Sequence, residues 1–163
     1  HIATHGFYYT PDEAIDKDFL RGYTDAMSLS GLVFAGGNAA WLGKKNVDGV
    51  LGGVLTAKDI ANLDFKGTDL LVLSACKTGQ GKVTAEGVFG LQRAFKKAGV
   101  GTIIMSLWNV DDKVTSEFMV AFYEQLTDKA NNWNKRKAFE QTKEIIRKKH
   151  PDPYYWAAFV MLD

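Results

Sequence analysis

Two stretches of this chain admit few structural readings. Leu70-Leu71-Val72-Leu73-Ser74-Ala75 is apolar at every position but Ser74, and Thr102-Ile103-Ile104-Met105-Ser106-Leu107-Trp108 repeats the pattern further along. Short apolar runs without alternation suit strands covered on both faces. Between them, Val88, Leu91, Phe95 and Ala98 recur at helical spacing, with Thr84 placed to cap the helix and Gly99 to stop it. Beyond the second run, Asp111 can cap a helix carrying Thr115, Phe118, Met119, Phe122 and Leu126 on one face. A further helix should turn Ala138, Phe139, Thr142, Ile145 and Ile146 inward and end at Pro151 and Pro153. Strands alternating with helices in this way predict an α/β domain, a mainly parallel sheet with helices on both faces.

The remaining segments fit that frame. Ile2–Thr4 reads as a strand stub that reaches a glycine turn at Gly6, and 31–36 as another short strand bounded by glycines. The polar stretch around Pro11 reads as a loop with a turn of helix. Thr56 is placed to cap a short helix over 57–63, and 155–162 suits a final strand. No repeat or internal boundary divides the chain, so residues 1–163 are expected to form one domain, the C-terminal part of a larger protein.

Composition narrows the possible partners. The chain has 163 residues, 46% of them hydrophobic, enough for a single core. Twenty basic residues face 19 acidic ones, a balance that draws in neither nucleic acid nor an anionic membrane. No stretch approaches the roughly 18 apolar residues of a membrane span. A single cysteine fits a reducing, cytoplasmic compartment. A phosphate loop fails around Gly81-Lys82, because Cys76 stands where glycine is required and Val83 where a hydroxyl is required. His1 and His5, on a strand, would lie about 13 Å apart, too far to share one metal ion.

The lone cysteine is the feature with chemical content. Cys76 leaves the first apolar run for a glycine-rich turn, and His5 leaves the amino-terminal stub for Gly6. In parallel sheets, ligands gather outside the carboxyl ends of strands. If these two strands are neighbours, a thiol and an imidazole share one edge. An imidazole activates a thiolate and returns its proton to a leaving group. The backbone N–H groups of Gly6 and Cys76 could then stabilise an oxyanion. Asp111 and Asp112 follow the second strand and should open on the same edge.

Seven segments in order resemble the CHAT domain, a caspase-like cysteine peptidase family related to separase and often fused to tetratricopeptide repeats. They are His1-Ile2-Ala3-Thr4-His5-Gly6, 30–36, Leu55-Thr56-Ala57, Leu73-Ser74-Ala75-Cys76-Lys77-Thr78-Gly79, 87–91, 106–112 and Tyr155-Trp156-Ala157-Ala158-Phe159. The resemblance implies a caspase-like three-layer sandwich with His5 as general base and acid and Cys76 as nucleophile. Peptide bonds would be hydrolysed through a thioester, without a cofactor. It also implies that Asp111 or Asp112 selects a basic residue before the scissile bond, and that upstream repeats or a partner control the activity. The family fold places two strands before the histidine strand, so upstream residues or a separate fragment are expected to complete the sheet. A catalytically silent interaction module is the alternative that the same fold allows.

Overall fold

The computed structural model describes residues 1–15, 20, 23–25, 27–42, 52–74 and 85–163. Their order is β1 (His5–Tyr8), α1 (Pro11–Ala14), β2 (Ser30–Val33), α2 (Gly37–Trp41), β3 (Val54–Thr56), α3 (Ala57–Ile60) and β4 (Leu70–Leu73). There follow α4 (Ala85–Lys97), β5 (Thr102–Ser106), α5 (Asp112–Thr127), α6 (Lys135–Lys149), α7 (Pro153–Trp156) and β6 (Phe159–Leu162), with a short 3-10 helix at Lys129–Asn131. The class is α/β. No helix among the described residues is long and apolar enough to cross a membrane.

The strands form two three-stranded sheets. In one, β5 lies between β4 and β6, parallel to β4 and antiparallel to β6. Ile2 adds an isolated parallel bridge to Leu73 on the far side of β4. Both apolar runs are therefore interior strands with helices on each face. Val72 and Ile104 point to the cluster built from α5 and α6, where Phe118 is fully buried and stacks on Phe159 at 3.9 Å. Leu71, Leu73, Ile103 and Met105 point the opposite way, to Ala57 and Ile60 of α3 and Leu91, Ala94 and Phe95 of α4. A continuous run of apolar residues is thus needed because the pleat sends alternate side chains into two separate cores.

The second sheet, β1-β2-β3, is antiparallel throughout. It corrects the expectation of a mainly parallel arrangement, since the parallel pairings described are β4 with β5 and the bridge at Ile2. It also corrects the reading of Gly6 as a turn. Gly6 is buried inside β1 opposite Leu32, and the chain runs straight on through Phe7, which is 6% exposed in the core beside Leu29. Pairing with β2 and burial of the aromatic residue after it outweigh the local tendency of glycine to turn.

Helix ends follow local chemistry closely. Thr56 caps α3 in a box with Asp59, and Asp111 caps α5. Gly99, with φ of +106°, ends the segment after α4 against Lys66, where a Cβ would sit 3.1 Å from the Lys66 backbone nitrogen. Two readings needed the packing. Ile145 is 42% exposed, outside the buried arc of Ala138, Phe139, Thr142 and Ile146. The last segment splits into α7 and β6, because Asp152 caps a helical turn beginning at Pro153.

Candidate active site

Residues 1–5 cross from one sheet to the other. The Ile2 N–H donates to Val72 O at 2.8 Å, and Ile2 O accepts from the Ser74 N–H at 2.9 Å. Ala3 and Thr4 then leave at the end where β4 exits, and the Thr4 hydroxyl donates to Val33 O. His5 starts β1 opposite Val33. A cleft of about 630 Å³ opens at this junction, lined among others by Thr4, His5, Ser74, Asp111, Asp112 and Tyr154. It lies at the carboxyl ends of β4 and β5, where strand-following loops converge.

His5 is exposed on the cleft wall, and the structure brings it together with Asp111 and Asp112. The Asp111 Oδ1 accepts from the N–H of Lys113 at 2.9 Å and of Val114 at 3.2 Å, so this carboxylate is engaged in capping α5. Asp112, the first residue of that helix, is exposed. Gly6 lies next to His5 on the edge strand of its sheet. The Tyr9 N–H donates to Leu29 O, and the two-residue alternation of an antiparallel ladder then turns the Gly6 N–H away from β2. Cys76, with its thiol and its N–H, lies outside the described residues, two positions beyond Ser74. Among the described residues no group of three His, Cys, Asp or Glu could hold a metal ion.

Sequence reasoning passed over several neighbours. His1 Nε2 lies 2.8 Å from Ser74 Oγ, and its Nδ1 lies 2.9 Å from the Tyr123 hydroxyl on α5. Burial holds the Tyr123 phenol above its usual range, so its O–H persists through neutral pH. Tyr154 donates from its hydroxyl to Asn109 O, while its own carbonyl accepts from Trp108 Nε1 at 2.9 Å. This interlock ties the loop after β5 to α7. The tryptophan motif held part of that signal, but nothing local pairs His1 with Tyr123, since His1 shows only its spacing to His5 and Tyr123 falls outside the face of Thr115, Phe118, Met119, Phe122 and Leu126 read for α5.

A strand-end cleft beside a mixed sheet with helices on both faces defines an α/β domain in which loops and strand ends line the cleft. The CHAT domain family model matches residues 1–163, and the chain belongs to that family. It is similar to tetratricopeptide repeat protein 28 of Homo sapiens, 32% identical over 111 residues, which is 67% of this chain and 4% of that protein. The protein of the same name from Mus musculus is 31% identical over 111 residues, with the same shares. The matched stretch is thus a small part of these curated relatives.

Proposed function

We propose that the domain is a caspase-like cysteine endopeptidase in which His5 and Cys76 form the catalytic dyad. The observation that carries this reading is the position of His5, in one cleft with Ser74 at the exit of β4, the strand that leads into Cys76. His5 would take the thiol proton as the sulfur attacks the scissile carbonyl, then hand it to the leaving amine. Water would hydrolyse the resulting thioester. The N–H groups of Gly6 and Cys76 would receive the oxyanion, and the Gly6 donor faces away from its partner strand. No cofactor enters this scheme.

The acidic wall suits a basic side chain before the scissile bond. Asp112 is the better candidate of the pair, because the Asp111 carboxylate already accepts two backbone hydrogen bonds. The relatives carry tetratricopeptide repeats in their names, which supports an upstream repeat segment of this protein as the controlling element. Upstream residues or a separate fragment would complete the sheet.

A second reading, a catalytically silent interaction domain, is favoured by one observation. Among the described residues, no hydrogen bond orients the His5 ring, whereas catalytic bases are commonly held by a third group. Replacing Cys76 with alanine in the full-length protein, with its activators present, separates the two. The peptidase reading expects cleavage of substrate to disappear, and unchanged cleavage leaves only the interaction module.

A further inference from the structure

We infer that His1 is a positioning residue for this site, clamping the cleft wall at Ser74 to Tyr123 of α5 and so holding His5 in register with the exit of β4. The inference rests on the peptidase reading above. Three separate elements meet at one imidazole: the segment that leads to His5, the end of β4, and the C-terminal half of α5. The rings of His1 and Tyr123 also pack at 5.6 Å with a 32° tilt, which restricts rotation of the imidazole.

Grip is exerted at consecutive residues. The His1 side chain holds the Ser74 side chain, while the Ile2 backbone holds the backbone of Val72 and Ser74 on either side of Leu73. Ala3 and Thr4 then span the gap to His5, and Thr4 is tied to Val33. A displacement of His1 is therefore passed along a short, anchored segment to the His5 wall of the cleft. A neutral imidazole donates from one ring nitrogen and accepts at the other, and both hydroxyl partners can take either role. The chain of hydrogen bonds through Ser74, His1 and Tyr123 is complete in either tautomer.

These hydrogen bonds are solvent-accessible, and such bonds add little net stability. What they control is geometry, to which catalysis is far more sensitive than folding: displacement by about 1 Å can cost about 100-fold in rate. The test separates the two effects. In the full-length protein, Tyr123→Phe, Ser74→Ala and His1→Phe are compared with the wild type on a cleaved peptide, with thermal unfolding measured alongside. Each is expected to lower kcat by about tenfold with KM within about twofold and the unfolding midpoint unchanged. His1→Gln, which retains a donor able to reach Ser74, should recover part of the loss. The double variant of His1→Phe with Ser74→Ala should be no slower than the worse single variant. Unchanged kcat in Tyr123→Phe and Ser74→Ala, or losses that follow the unfolding midpoint, would overturn the clamp. Cys76→Ala serves as the control: cleavage that survives it sinks the peptidase reading and the clamp together, whereas cleavage abolished by it but untouched by the clamp variants sinks the clamp alone.

Discussion

Asp111 and Asp112 are adjacent and both acidic, yet the structure separates their work. The Asp111 side chain accepts from two backbone N–H groups at the start of α5, and loss of such a cap costs about 1 kcal/mol. Asp112 makes no corresponding bond among the described residues and stands on the cleft wall. Asp112→Asn should reduce kcat/KM for peptides with arginine or lysine before the scissile bond by about 5- to 50-fold, the span of one charge-assisted hydrogen bond, and leave neutral residues unaffected. A fluorogenic peptide panel with no advantage for basic residues in the wild type, or none lost in the variant, removes the proposed preference. Asp111 was legible as a cap because capping depends on neighbours in the chain. Which of the pair is left out of the cap on the cleft wall was not legible, since that depends on what each carboxylate already holds.

The α5–α6 pair shows how a junction between elements can carry pH dependence. His150, which follows the last residue of α6, places Nε2 2.8 Å from Glu117 on α5, and Lys149 donates to the same carboxylate oxygen at 2.9 Å. His150 is thus bridged across the two helices, and it packs also against Tyr155. The hydrogen bond from His150, followed by that from Lys149, holds the Glu117 carboxyl below its ordinary range. A carboxylate whose folded value is depressed contributes stability above its unfolded value, about 4.3, and loses it as pH falls through the folded one. Glu117→Gln should thus lower the urea midpoint at neutral pH and flatten its decline on acidification below about pH 5. A variant whose acid limb parallels that of the wild type would show that the bridge contributes nothing. Strands β4 and β5 were readable from their apolar runs, α3 and α5 from their caps, and α4 and α6 from their apolar spacing, while Thr84, expected to cap α4, lies outside the described residues. Strand β1 was not, because its glycine carries the opposite local signal and only pairing with β2 makes it extended.

At the scale of the molecule, the sheet that carries the cleft depends on a core that reaches it from one side through Phe118. That ring is fully buried, stacks on Phe159 of β6 at 3.9 Å and meets Phe139 of α6 edge-on at 5.8 Å. Phe118→Ala should destabilise the fold by about 3–5 kcal/mol, measured by urea unfolding, because a cavity opens where two helices and a strand meet. A loss below about 1 kcal/mol would mean that the layers repack around the gap. The alternation of β4, α4, β5, α5 and α6, the double-faced burial of β4 and β5, and the caps at Thr56 and Asp111 were determined by the sequence alone. Each of those features is set by residues a few positions apart, whose spacing and hydrogen-bonding groups act before any distant contact forms. Tertiary structure decided that the segment from His1 to His5 leaves the β4 sheet to join an antiparallel one, and that His1 reaches both Ser74 and Tyr123. Strand partners and side chains brought together from distant positions depend on which surfaces are buried against each other, and no local pattern of residues records that choice.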